Sequence, residues 1–364
     1  MTLLLDSVEA VQDAVREGPR VLPVGGGSKP ALSTPPSEDV VALDVSGLRG
    51  IVEYDPAELT FTALPGTPIA EVDRVLAEHG QHLPFDPPLR AAGATLGGVV
   101  AAATSGPGAF RHGGVRDFVI GVRFVDGTGQ LVSGGGKVVK NAAGFDLPKL
   151  LVGSMGRLGV LVQLSFKVFP RPRASTTLAF ELGSTQAALD AIAALGRGPL
   201  ELDALDLEPP GRLLARLGGD PELLDARAAR LTEAVAAPSQ RFEGEDDADA
   251  WRATSELTWA PEGARVVRVA TTAASVPGLE AALAVAGARA RYSLGANLAW
   301  VAWPDHRPLD ELHAALQGLG LAGMVLTGPP AGAPTRALLG SVRGGSFAAR
   351  IRGALDPDAR FLEA

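Results

Sequence analysis

The chain has 364 residues, 46% of them hydrophobic and 20% charged, with a net charge of −8 and a pI near 5.3. That is a globular composition, long enough for two or three domains, and with no basic run or patch it excludes a nucleic-acid role. Cysteine is absent, which excludes disulfides, a cysteine nucleophile and an iron–sulfur cluster held by this chain.

The opening residues carry Asp6 and no basic n-region, so no signal peptide and a cytoplasmic location are expected. Val8, Val11, Ala14 and Val15 recur at helical spacing and predict a helix over 7–16. The apolar run 21–24 predicts a strand that leads into Gly25, Gly26, Gly27 and Ser28. Consecutive glycines after a strand can turn their N–H groups inward as an anion-binding nest, and a tight turn is the equal alternative. The dinucleotide fingerprint is absent, because no GxGxxG opens an amphipathic helix here. Strands follow over 40–43, 51–54 and 59–64, and then a helix over 68–79 with Thr67 as its cap and Gly80 past its end.

The stretch 83–172 organises the rest. From Ala91 to Phe110 there is no charge, yet Gly93, Gly97, Gly98, Gly106 and Gly108 break up any membrane span. Small residues there would let main chain approach something large and flat. Residues 96–103 predict a short helix with Thr95 as N-cap, its free N–H groups pointing outward and suited to a phosphate. A strand over 119–125 turns at Asp126-Gly127-Thr128-Gly129 into a hairpin partner. The run Gly134-Gly135-Gly136-Lys137 mimics a Walker loop but fails at Leu131 and Val138. Lys137 and Lys140 could compensate a phosphate charge or be surface residues, and the surface reading is preferred.

From about residue 171 the texture becomes α+β. Strands are predicted over 176–181, 204–207, 212–217, 265–271, 298–303 and 323–326. Helices are predicted over 185–195, 222–235, 251–257, 277–286 and 309–317, the last stopped by Gly318. The acidic run 243–249 reads as a solvated lead-in to a helix. A Gly/Pro-rich linker over 328–334 precedes a final helix over 347–355. Trp251, Trp259, Trp300 and Trp303 are expected to pack in the core or at an interface, and His112 to pack rather than react. His79 and His82 straddle Gly80 and are not expected to form a metal site.

Several short motifs then occur in one order. They are Pro23 to Ser28, Pro65-Gly66, Asp86-Pro87, Ala94-Thr95-Leu96-Gly97-Gly98, and Ser105-Gly106. After these come Arg111-His112-Gly113, Arg116-Asp117, Lys140 to Leu147, and Gly153 to Leu161. In this order the chain resembles the FAD-binding domain of the vanillyl-alcohol oxidase / para-cresol methylhydroxylase (PCMH) family, and within it the FAD-binding subunits of glycolate oxidases. The resemblance covers 22–173; beyond that it extends only to layout and to 351–357. It implies an α+β fold with a two-subdomain PCMH-type FAD-binding domain over 1–172, an α+β cap or interface domain over 173–330, and a tail over 331–364 that returns to the first domain.

The resemblance also assigns FAD contacts to Gly25, Gly26, Gly27, Ser28, Pro87, Gly93, Ala94, Thr95, Gly97, Gly98, Ser105, Gly106, Arg111, Gly113, Val160 and Leu161. Covalent members use a His in the glycine loop or a later Cys. Ser28 holds the loop position here, so the FAD is expected to be non-covalent. The implied activity is oxidation of glycolate to glyoxylate, with a related catalytic flavoprotein subunit and an iron–sulfur subunit as partners and any membrane association only through them. Oxidation of a 2-hydroxyacid needs a placed base. The C-terminal half has only His306 and His313, without the family's His-rich motif, so no catalytic residue is assigned. That favours an auxiliary FAD-binding subunit. A stand-alone FAD-dependent 2-hydroxyacid or alditol oxidoreductase is the alternative, and a scaffold that has lost its flavin a weaker third.

Overall fold

The structure, a computed structural model, describes residues 1–136, 145–328 and 336–362. The expectations for Lys137, for 140–144 and for most of the 328–334 linker lie outside the described residues.

The chain begins with β1 (Thr2–Leu4), β2 (Val21–Val24) and β3 (Val41–Asp44), a parallel sheet of order β1-β3-β2. Parallel neighbours need a crossover, and the helix Val8–Glu17 supplies the first. Ser7 starts it by accepting from Ala10 N, and Val11 and Val15 turn inward onto Val21 and Leu43. A second, antiparallel sheet has the order β4-β5-β9-β7-β8. It is built from β4 (Ile51–Asp55), β5 (Thr60–Ala63), β7 (Val119–Val125), β8 (Leu131–Gly135) and β9 (Val160–Lys167). The short strands β6 (Gln81–His82) and β10 (Phe169–Pro170) pair beside it. Phe61, Phe85 and Phe166 stack in its core, with ring centroids 5.4 and 6.3 Å apart. The helix Leu96–Ala102 enters the same core through Leu96, Val99 and Val100.

The second half forms one nine-stranded sheet of order β14-β11-β13-β12-β16-β17-β15-β18-β19. Its strands are β11 (Ala174–Glu181), β12 (Ala204–Glu208), β13 (Arg212–Gly219), β14 (Ser239–Glu243), β15 (Arg265–Ala270), β16 (Arg289–Ser293), β17 (Leu298–Trp303), β18 (Ala322–Val325) and β19 (Leu338–Gly340). Alternation sorts its two faces. Leu205, Leu207, Val267, Val269 and Val301 meet the helices Thr185–Leu195, Pro221–Val235, Val276–Ala286 and Leu309–Gly318. Val266, Trp300 and Met324 point the other way, into the core that holds Phe85, Leu96 and Val99. The chain end returns to β2: Val21 N donates to Arg360 O, and Val21 bridges Phe361 in parallel.

Three expectations need correction. Thr67 caps no helix; its hydroxyl donates to Leu64 O and accepts from Gly50 N, and Pro68 stands at the start of Ile69–Ala77. The strands β14, β16 and β19 were not expected, because SQRFE, RARYS and LLG are too polar or too short to alternate visibly. The acidic run is no lead-in. It is the first turns of the helix Gly244–Ser255, and Asp247 within it is 1% exposed.

The polar groups on the inner face of the sheet have their own energetics. Asp206 on β12 is 2% exposed; Ser293 Oγ donates to its Oδ2 at 2.7 Å, and Oδ1 has no partner. Burial pushes its carboxyl up from 3.8 to about 7. The folded state therefore holds a proton that the unfolded chain has released between about pH 4 and 7. Stability falls as pH rises through that window, by at most about 1.4 kcal/mol per unit, and is flat above it. Asp206→Asn is expected to lose this decline and to melt at a higher temperature than wild type at pH 8. Thermal unfolding recorded from pH 4 to 8 checks this; parallel wild-type and variant curves would refute it.

Candidate functional site

A cleft opens where β2 and β3 end. The carboxyl ends of parallel strands are where chain leaves the sheet and backbone donors become free, so such edges collect ligands. The floor is the loop Gly25–Ser28 that follows β2, with Val45 after β3 and Pro65 after β5. One wall is the helix Leu96–Ala102, through Thr95, Gly97, Gly98, Ala101 and Ala102. The other is Ser154–Gly156 together with Gly159, Val160 and Leu161 at the start of β9.

The donors of this cleft divide sharply. Among the described residues, the N–H groups of Gly25, Gly26, Gly27 and Ser28 donate to no protein atom. Successive unengaged amides of this kind can form an anion-binding concavity. The helix start, expected to offer free N–H groups, does not. Leu96 N donates to Thr67 O at 3.0 Å, Gly97 N to Pro65 O at 2.8 Å, and Gly98 N to Thr95 Oγ1 at 3.4 Å. Thr95 is the N-cap, and capping of that kind uses up the donors that a ligand would need.

The loop is held by an approach that only glycine permits. A Cβ on Gly26 would stand 2.0 Å from Gly93 O. Close packing of main chain on main chain also explains Gly106, whose Cβ would meet Asp86 O at 2.2 Å. The expectation that the glycines of 91–110 face a large flat ligand therefore fits Gly97 and Gly98, which line the cleft, better than Gly93 or Gly106, which do not.

Of the residues expected at the cofactor, Gly25, Gly26, Gly27, Ser28, Thr95, Gly97, Gly98, Val160 and Leu161 come together on this cleft. Pro87, Gly93, Ala94, Ser105, Gly106, Arg111 and Gly113 do not line it. Ser105 Oγ accepts from Val115 N at 2.9 Å, and Ala94 O accepts from Ile69 N. Arg111 reaches across to the second half and pairs with Asp203 at 2.7 Å and Glu201 at 2.9 Å.

One residue that sequence reasoning passed over stands out. Lys29 is 5% exposed and lines the cleft beside Ser28, with Nζ 3.4 Å from Ser28 Oγ. Burial, helped by the positive charge of Arg268, pushes its ammonium down to about 8. Arg268 reaches in from β15 to donate to the carbonyls of Ala102 and Ala103, at the end of the cleft helix. The only sequence signal was position: a lysine directly after the glycine loop.

A second cavity lies between the two halves, with His82, His112, Arg90, Arg171, Arg216 and Trp251 on its walls. Arg90 is paired with Asp73 at 2.8 Å and Asp86 at 2.9 Å, and Arg216 with Asp247 at 2.6 Å. Burial lowers the pKa of both His82 and His112; His82 Nδ1 lies 3.2 Å from Phe169 O, and the His112 ring meets Phe169 edge-on at 5.4 Å. His79 packs on Tyr54, His306 lies in solvent beside Asp305, and His313 Nδ1 accepts from Gly340 N. None of the five histidines lines the glycine-loop cleft.

Comparison with known proteins adds four findings. Residues 4–135 match the family described as FAD binding domain. The chain is 41% identical over 229 residues to glycolate oxidase subunit GlcE of Escherichia coli K12, covering 63% of this chain and 65% of that one. It is 33% identical over 158 residues to glycolate oxidase subunit GlcD of Bacillus subtilis, covering 43% of this chain and 33% of that one. The chain thus spans just under two thirds of the first relative and about one third of the second. A solved alkyldihydroxyacetonephosphate synthase shares the fold, with a TM-score of 0.73 over 99% of this chain and 75% of that one at 15% identity.

Proposed function

We propose, from the premise that residues 4–135 of this chain are an FAD-binding domain of the PCMH type, that the protein is the FAD-binding subunit of a glycolate oxidase. The observation that carries this is the row of unengaged amides at Gly25–Ser28, set on the cleft wall inside that domain. A nucleotide diphosphate is the group such a row suits. The cleft's apolar walls, Pro65, Ala101, Val160 and Leu161, suit the remainder of a flavin nucleotide.

The FAD is held without a covalent bond, since Ser28 offers no ring nitrogen and the chain has no thiol. Residues 1–172 and the tail bind it, while 173–330 form the cap. Bound FAD supplies a two-electron acceptor for oxidation at a carbon that bears a hydroxyl. The chain's residues bind and orient the cofactor, and Arg111 and Arg268 tie the cap to the domain below. With no histidine on the cleft, the role is auxiliary: glycolate is oxidised to glyoxylate together with a related catalytic flavoprotein subunit and an iron–sulfur subunit. Among the described residues no helix is long and apolar enough to cross a membrane. A cytoplasmic position, peripheral to the inner membrane through the complex, fits the proposal.

The test is an absorbance spectrum of the purified chain, followed by anaerobic glycolate. Flavin absorbance that persists after glycolate supports the auxiliary subunit. Bleaching by glycolate would make the chain an enzyme in its own right, and failure to take up added FAD would overturn the cofactor assignment.

A further inference from the structure

We propose that the Lys29 ammonium is the cation that binds the diphosphate of the bound flavin nucleotide, completing a site whose other donors are the amides of Gly25–Ser28. The inference rests on the FAD reading and deepens it. Three observations converge on it. The ammonium is buried, yet among the described residues no carboxylate pairs with it, and its contact there is the Ser28 hydroxyl at 3.4 Å. The charge that acts on it is another cation, Arg268. Arg90, by contrast, meets two carboxylates and Arg216 one. An unpaired charge taken out of water costs several kcal/mol unless an anion joins it.

The second observation is position. Lys29 continues directly from the four unengaged amides and lines the same cleft. The third is that the helix start opposite has spent its donors on Thr67 O, Pro65 O and Thr95 Oγ1, so the charge of a diphosphate must be met from the loop side. Arg268 cannot replace Lys29, because its guanidinium is engaged by the carbonyls of Ala102 and Ala103. It strengthens the positive field and disfavours an empty site. An anion arriving at Lys29 therefore relieves a repulsion between the cap and the FAD-binding domain.

The experiment uses the full chain freed of flavin and titrated with three probes. FAD carries ring and diphosphate, adenosine diphosphate ribose carries the diphosphate alone, and riboflavin carries the ring alone. Lys29→Met is expected to weaken FAD and adenosine diphosphate ribose by about 10- to 100-fold, the span for hydrogen bonds to charged groups, with riboflavin unchanged. The flavin-free variant should melt no lower than wild type, because an unpaired buried charge has been removed; a lysine with a merely structural role would lower it. Wild-type affinity for FAD should hold below about pH 8 and fall above it, by no more than the loss in Lys29→Met, as the unliganded ammonium deprotonates. Lys29→Met should lack that fall, and Lys29→Arg should restore binding above pH 8.

Wild-type affinity for FAD in Lys29→Met would overturn the proposal. So would a loss for FAD with none for adenosine diphosphate ribose, which would place the charge at the ring. A wild-type chain that binds no FAD would instead overturn the underlying cofactor reading.

Discussion

Gly26→Ala is expected to fold and yet to bind FAD at least about a hundredfold more weakly, while Gly27→Ala loses only about fivefold. The two glycines are neighbours in one loop, so their contrast isolates the cause. At Gly26 a methyl group would stand 2.0 Å from Gly93 O and 3.1 Å from Thr95 Cγ2. The first of these is main chain and cannot swing aside. Either the loop or the 93–95 segment must move by more than an ångström, which displaces the amides of Gly25–Ser28 from their places on the cleft wall. Overpacking of this kind costs about 3 kcal/mol, roughly two decades in affinity. At Gly27 a Cβ meets nothing within 4 Å, and the strain is only that of φ +66°. A left-handed residue costs about 1 kcal/mol. Fluorescence titration of the flavin-free variants checks both values. Equal losses at the two positions would mean that chain conformation, not the approach to Gly93, sets the loop.

That contrast also marks how far the sequence could be read. The strand 21–24, the glycines after it and the helix 185–195 were visible because each depends on neighbours in sequence: apolar period, turn chemistry and capping. What the glycines are for was not visible, since the partner of Gly26 is a carbonyl 67 positions away. Lys29 was missed for a related reason. Nothing local marks a lysine as buried; its burial comes from the cleft walls and from β15, some 240 residues on. Thr95 carried the opposite error. Its capping role is legible in the sequence, but the donors expected to point outward are held by Thr67 O and Pro65 O, which the sequence does not place beside it. The inner face of the nine-stranded sheet was hidden as well, because strands such as RARYS carry arginines where an isolated strand would need apolar residues.

The largest loss of stability is expected at Asp247, within the acidic run that reads as solvent-facing. Its Oδ1 accepts from Thr177 Oγ1 at 2.5 Å, and its Oδ2 from Ser175 Oγ and Arg216 Nη2, each at 2.6 Å. Trp251 Nε1 in turn donates to Thr177 Oγ1 at 2.8 Å, so one carboxylate organises the contact between the helix Gly244–Ser255 and β11 and β13. Asp247→Ala strands the Arg216 guanidinium, whose Nε is buried without a partner even in the intact protein. Removing one member of a buried pair costs about 3–5 kcal/mol, most of it from the charge left behind. Adding Arg216→Met to Asp247→Ala should therefore recover a large part of the loss. The coupling would appear as strong non-additivity in the urea midpoints of the two single variants and the double variant. Arg216 also lines the cavity between the two halves, which supplies the competing outcome. If water from that cavity solvates the stranded guanidinium, Asp247→Ala alone would cost less than about 1 kcal/mol, as for a surface pair, and the double variant would recover nothing. FAD affinity should be unchanged in all three variants, because none of these residues lines the glycine-loop cleft. A parallel loss of FAD binding would mean that the sheet's inner face transmits strain to the loop, and the cap would then have to be counted as part of the cofactor site.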